Sequence, residues 1–184
     1  VFEKVLQQKG VLVKVLVALS FSVLTGLAAQ IRIPLFFTPV PITAQTFVVL
    51  IAPFLIGPWA VLSQVMYLLL GVAGLPWFSG WRAGMSVLLG PTGGYLIGFI
   101  IASMFLAKHR SKTYSGKLVA LLLANFLIIH GLGLAQLALW FYSKGSSPDV
   151  WKLLTMSLFP FVPGDLSKIL AVSALLVKPK MKKE

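Results

Sequence analysis

The sequence contains no cysteine, which excludes disulfides, thiolate metal sites and thiol chemistry. Acidic residues are almost as scarce: there are four, and two of them, Glu3 and Glu184, lie at the ends of the chain. The two histidines, His109 and His130, have no ligand-like spacing with those acids, so no metal site or other cofactor is expected. A nucleophile–His–carboxylate set is missing, and so is the phosphate-binding pattern Gly-x-x-x-x-Gly-Lys-Ser/Thr. The chain therefore reads as a non-enzyme with no catalytic residues, unable to hydrolyse ATP through a Walker site. Charged residues make up 11% of the chain, against roughly 25% in a soluble globular domain. That excludes an ordinary soluble enzyme, and the apolar content excludes a disordered chain.

What is abundant is hydrophobic, 58% of 184 residues. One soluble core of this size cannot bury that much apolar surface, so the chain reads as a single all-α, polytopic transmembrane domain spanning residues 1–184. Sixteen Lys and Arg against four acids give a net charge of +12. The basic residues lie mainly between and beyond apolar runs rather than along a soluble face. Membrane lipid headgroups or a partner protein suit them better than nucleic acid.

The apolar runs predict a bundle of six helices, at about 11–29, 43–56, 59–72, 85–107, 118–141 and 163–177. The Gly57-Pro58 turn signal divides the second from the third. A five-span count follows instead if 43–72 forms one shallow bent hairpin. Basic residues before the first run also suit a signal peptide, but the length of that run and the spans after it favour a transmembrane helix. With six spans and cytoplasmic N- and C-termini, the inner segments hold Lys4, Lys9, Lys14, Lys108, Arg110, Lys112, Lys117, Lys178, Lys180, Lys182 and Lys183, eleven of the sixteen basic residues. Arg32, Arg82, Lys144 and Lys152 face outward, a split that satisfies the positive-inside rule.

Three prolines, Pro34, Pro39 and Pro41, forbid a helix over 31–42, yet the segment is apolar and is expected to fold over the outer mouth of the bundle. Residues 75–84 carry Trp77, Phe78, Trp81 and Arg82, a pattern that fits an interfacial aromatic belt, a ligand lid or both. A short interfacial helix is expected within 151–161. Asp165 and Lys168 follow Pro163-Gly164 and are three apart, on one face of the last helix. Nine residues separate Lys168 from Val177, roughly 14 Å of helix, which puts the pair near mid-depth. Ionisable groups there are costly, and either form an interhelical ion pair or anchor a ligand. Gln45 and Tyr95 lie beside Pro- or Gly-rich breaks and are candidate wall residues. Gln30, Gln64, Tyr67, Asn125, His130 and Gln136 read as cross-helix bonds. Small residues recur every four positions at Ala18, Ser22 and Gly26 and at Gly94 and Gly98, which suits close helix packing, inside the bundle or against another subunit.

Four motifs in order resemble one family. They are Arg32-Ile-Pro-Leu-Phe-Phe-Thr-Pro-Val-Pro-Ile-Thr-Ala-Gln-Thr-Phe, Gly71-Val-Ala-Gly-Leu-Pro-Trp-Phe-Ser-Gly, Gly90-Pro-Thr-Gly-Gly-Tyr-Leu-Ile-Gly-Phe and Pro163-Gly-Asp-Leu-Ser-Lys. Together they are similar to BioY proteins, the biotin-specific substrate-capture subunits (S components) of energy-coupling factor transporters. The resemblance implies a six-helix subunit of a prokaryotic cell membrane. It would capture biotin with high affinity at the outer face, for ATP-driven uptake through a transmembrane coupling subunit and two cytoplasmic ATPases. It implies that Asp165 and Lys168 meet the ureido ring, that Arg82 meets the carboxylate, and that Gln45, Tyr95, Ser79, Trp77, Phe78 and Trp81 surround the ligand. Ser79 stands where some relatives have Asn. Ala18 and Ser22 would contact the coupling subunit, in a pattern usually written Ala-x-x-x-Ala.

Overall fold

The computed structural model describes residues 2–109, 111 and 113–176. Its helices are α1 (Phe2–Gln7), α2 (Val11–Gln30), α3 (Gln45–Ile56), α4 (Trp59–Val72), α5 (Met85–Leu88), α6 (Gly93–Lys108), α7 (Tyr114–Leu122), α8 (His130–Ser143), α9 (Val150–Ser157) and α10 (Val162–Leu175). A π-helical stretch, Leu123–Ile129, joins α7 to α8, and a 3₁₀ turn, Phe159–Phe161, joins α9 to α10. Among the described residues the one strand pair is small: β1 (Arg32–Ile33) runs antiparallel to β2 (Ile42–Thr43) and closes the base of the loop between them.

The protein is all-α and polytopic. Three helical stretches, Val11–Gln30, Tyr114–Ser143 and Val150–Leu175, are long and apolar enough to cross a membrane. The shorter apolar helices are Gln45–Ile56, Trp59–Val72 and Gly93–Lys108. Helix is the form an apolar run takes in lipid, because it satisfies its own backbone hydrogen bonds. Leu16, Leu27, Leu127, Leu139 and Leu170 are exposed, giving the bundle the apolar outer surface that lipid requires.

Several boundaries differ from the sequence expectation. The run expected as one helix over 85–107 breaks after Leu88, because Pro91 supplies no N–H and disfavours helical backbone at Gly90. The fifth run starts at Tyr114, where the Thr113 hydroxyl accepts from the Gly116 N–H at 3.2 Å and caps the helix. The short helix expected within 151–161 does form, as α9, but it continues through the 3₁₀ turn into α10. The Gly57-Pro58 turn separates α3 from α4, with Gly57 at φ 66°, a conformation glycine adopts without a Cβ clash. Val177, the expected end of the last helix, lies outside the described residues, as do Arg110, Lys112, Lys178, Lys180, Lys182 and Lys183.

α2 packs on α4 and α3, while α6 packs on α8, the π-helical stretch, α3 and α4. In the first seam the Ser22 hydroxyl donates to the Ser63 carbonyl at 2.6 Å, and Gln64 donates to the Thr25 hydroxyl at 3.2 Å. Ala18 and Ser22 are both 0% exposed. Within this chain the small side chains of that face let α4 approach closely. Gly94 and Gly98 act in the same way on α6, where an added Cβ would lie 2.1 Å from the Leu132 carbonyl oxygen and 2.9 Å from the Ile129 Cα respectively.

Candidate ligand-binding site

Asp165 stands in the first turn of α10 and is 2% exposed. A buried carboxylate needs donors on both oxygens, and three other elements supply them. Oδ1 accepts from Lys168 Nζ at 2.9 Å and has the Thr46 hydroxyl of α3 at 3.5 Å. Oδ2 accepts from Asn125 Nδ2 at 3.0 Å and faces His130 Nε2 at 2.6 Å. Lys168 places its other two donors on the Thr43 carbonyl, at 2.7 Å, and on the Thr46 hydroxyl, at 2.9 Å. One residue pair thus ties α10 to β2, α3 and the long helix that runs through the π-helical stretch.

His130 Nδ1 lies 2.8 Å from the Ser157 carbonyl, and Tyr95 donates to that same oxygen at 2.9 Å. Ser157 ends α9, where a carbonyl has no partner within the helix. A carbonyl only accepts, so the hydrogen of the Nδ1 contact lies on the imidazole. Asn125 and His130 reach Asp165 together because of the π-helical stretch. At about 100° per residue, positions five apart sit about 140° apart on an α-helix. Here the His130 N–H bonds to the Asn125 carbonyl. That i→i+5 bond winds the chain more loosely and brings both side chains to one side.

Asp165, Lys168 and His130 of this cluster line a cavity. Its walls are largely apolar: Val40, Phe78, Val87, Leu96, Phe99 and Phe161 line it, with Tyr95, Gln45, Ser79, Arg82, Thr46, Asp165, Lys168 and His130 contributing polar atoms. The Phe78 ring is seated on Gly71, where a Cβ would lie 2.2 Å from the ring. Val40 and Pro41 cover the cavity from the 31–42 loop, which is hooked to α9 by the Thr38 hydroxyl donating to the Met156 carbonyl at 2.7 Å. Phe36, at the tip of that loop, is 100% exposed. Among the described residues, no group of three or more His, Asp or Glu is arranged to hold a metal ion.

Residues 5–183 match the BioY family. The chain is 36% identical over 165 residues to a biotin transporter BioY of Thermotoga maritima, covering 89% of this chain and 92% of that one. It is 44% identical over 123 residues to a probable biotin transporter BioY of Methanothermobacter thermautotrophicus, covering 64% of this chain and 78% of that one. This chain belongs to the BioY family. Its fold is shared with a crystal structure of the S component for biotin from an ECF-type ABC transporter, with a TM-score of 0.77 at 24% identity over 89% of this chain and 88% of that chain.

Of the BioY-type site residues expected from sequence, Asp165, Lys168, Arg82, Gln45, Tyr95, Ser79 and Phe78 all line the one cavity. The Ser79 hydroxyl oxygen is buried with no hydrogen-bond partner. Arg82 Nε donates to the Ser79 carbonyl at 3.0 Å, which leaves its terminal nitrogens for other acceptors. Gln45 is spent within the protein: it accepts from the Thr43 hydroxyl at 3.1 Å and donates to the Tyr67 hydroxyl at 2.8 Å.

Trp77 and Trp81 are not among the residues that line the cavity. The Trp77 indole is buried away from the cavity, its N–H donating to the Tyr67 carbonyl at 2.9 Å and its ring lying over Gly26. It is a strut that fixes the loop after α4. Trp81 has φ 59°, and its N–H is held by the Gln30 side chain at 3.1 Å, which leaves its ring outside the cavity and 67% exposed. The residues that sequence reasoning missed at the site are His130, Asn125 and Thr46. No α-helical spacing marks the first two, and an ordinary Thr in a first helical turn gives no signal.

Proposed function

We propose that this chain is a biotin-capture subunit. It holds biotin in the cavity at the outer face of a prokaryotic cell membrane, for ATP-driven uptake by a transmembrane coupling subunit and two cytoplasmic ATPases. One observation carries the reading: a single apolar-walled cavity is lined both by the Asp165–Lys168–His130 cluster and by Arg82. Biotin has a matching set of groups, a ureido ring with two N–H donors and a carbonyl, a thioether ring, and an apolar tail ending in a carboxylate.

In the pose that follows, a ureido N–H bonds to Asp165 Oδ1. The Thr46 contact on that oxygen, at 3.5 Å, is at the limit of a hydrogen bond and leaves room for it. The ureido carbonyl takes the Lys168 donor now spent on the Thr43 carbonyl. The Ser79 hydroxyl, buried and unpaired, finds a ligand partner. Phe78 and Phe161 cover the rings, and Arg82 takes the carboxylate as a planar fork. A site built on fixed hydrogen bonds discriminates strongly, because an analogue lacking one N–H leaves a buried acceptor unpaired.

The same reading includes six membrane spans and cytoplasmic N- and C-terminal segments. The helix order supports it. Leu6 packs against Ile56 and Ala60 beside the Gly57-Pro58 turn, and Lys117 donates to the Leu176 carbonyl at 3.1 Å. These contacts put Lys4, Lys9 and Lys117 at the end of the bundle away from Arg32 and Arg82, in line with the positive-inside rule.

Calorimetric titration of biotin and of biotin methyl ester into the detergent-purified chain tests the reading. Biotin should bind one to one, and the ester about 10- to 100-fold more weakly, as expected for loss of a charge-assisted bond. Absence of both heat and thermal stabilisation in a folded sample overturns the assignment.

A further inference from the structure

Arg82 also borders a second, more open compartment between the 31–42 loop and the 75–84 loop. Arg82 and Pro41 line both spaces, and Arg32 lines only the second one. The two arginines rest on the same tight turn. The Arg32 guanidinium lies against Gly80, where a Cβ would be 2.6 Å from Nη1, and Arg82 Nε bonds to the Ser79 carbonyl. Gly80 is the residue that permits this, both for its φ of +76° and for the space it leaves to Arg32. The turn is closed by the backbone bridge between Phe78 and Arg82, and Arg32 is fixed by the β1–β2 pairing opposite Thr43.

Two cations beside one turn call for an anion, and the described residues supply none there. Among the described acids, Asp165 is held in the inner cluster, Asp149 caps α9 through the Lys152 N–H, and Glu3 lies in α1. The compartment walls between the arginines include Pro34, Pro39 and Pro41, which have no N–H to offer a competing anion.

We propose that Arg32 and Arg82 together form a two-guanidinium receptor for the carboxylate of the ligand. Arg32 is the cation met first from outside and a determinant of specificity for acids over neutral analogues. This rests on the capture reading above and adds to it a residue and a compartment. The carboxylate passes Arg32 on the way in and is then shared between the two planar forks, one of which is open to solvent.

The test is titration of biotin and biotin methyl ester into the full chain carrying Arg32→Gln or Arg32→Lys, with association rates measured at low and high salt. Arg32 is exposed and its side chain makes no hydrogen bond within the described residues, so the variants keep the β1–β2 pairing and are expected to fold. Arg32→Gln should weaken biotin about 5- to 20-fold, lower its association rate at low salt and leave the ester within about twofold. Arg32→Lys should recover part of the loss. Biotin binding equal to the parent chain overturns the proposal and leaves Arg32 to lipid phosphates. Equal losses for biotin and ester also overturn it, since Arg32 then only braces the loop on Gly80. A parent chain that binds neither compound overturns the capture reading, and this proposal with it.

Discussion

Replacing Asp165 by alanine is expected to lower biotin affinity by roughly 30- to 5,000-fold, the range that follows from removing one partner of a buried, hydrogen-bonded charge pair. The carboxylate is the only acceptor that His130 Nε2 and Asn125 Nδ2 share, and it takes one of the three Lys168 donors. Without it, the groups that Lys168, His130 and Asn125 turn toward that carboxylate lose their shared partner. The ligand loses the acceptor for its ureido N–H at the same time. Alanine also costs the fold about 3–5 kcal/mol, the usual penalty for breaking a buried pair from one side. Asp165→Asn is therefore the companion variant, since it keeps the shape and one acceptor oxygen. Titration of both variants, with thermal unfolding in the same detergent, separates lost binding from lost structure. Unchanged affinity in a folded Asp165→Asn or Asp165→Ala protein would remove Asp165 from the site.

The second large effect is on stability and lies away from the ligand. Gly94→Ala adds a Cβ that would sit 2.1 Å from the Leu132 carbonyl oxygen and 2.6 Å from the Gln136 Cβ. The first of these is helix backbone and cannot swing aside, so α6 and α8 must separate. A cost of about 1–3 kcal/mol or more is expected for such overpacking, seen as a lower unfolding temperature. Gly131→Ala is the control. It is also a helical glycine, one residue from His130, but a Cβ there meets nothing within 4 Å. It should leave stability unchanged or raise it by up to about 1 kcal/mol, from the better helix propensity of alanine. If both variants unfold at the parent temperature, the tight α6–α8 contact is not what the glycine serves.

These two predictions sit on different levels of legibility. Hydropathy and the Gly-Pro turn marked the α3–α4 division, and the motif around Pro163 pointed to Asp165 and Lys168, because an ionisable pair deep in an apolar run has few uses. Membership of the BioY family places the same motifs in one fold. The breaks at Leu88 and the join of α9 to α10 were not legible, since hydropathy does not distinguish one long helix from two with a turn between them. That Trp77 and Trp81 lie outside the cavity lining was not legible, because an aromatic in a loop shows neither its φ nor the partner of its N–H. The packing partner of Ala18 and Ser22 within the chain was not legible, because a stripe of small residues suits any close helix contact, and here α4 packs on it. His130 and Asn125 were hidden for a different reason: the rule that assigns residues to a helix face assumes α geometry, and this helix departs from it where the two side chains matter.

That departure makes chain length, rather than residue identity, a condition of the site. Between Asn125 and His130 the helix carries more residues per turn than its neighbours, and Leu127, in the middle of the stretch, is exposed to the lipid side. Many apolar residues would serve at Leu127, because nothing inside the protein reads that side chain. Deleting it is another matter. The surplus that sustains the wide turn disappears, the helix can close up into regular winding, and everything beyond it rotates by about 100° relative to everything before it. Hydropathy, composition and span length would hardly register the loss. Yet His130 and Asn125 would no longer converge on one carboxylate. A lineage of such chains can therefore drift freely in the letters of this segment while its count of letters stays fixed.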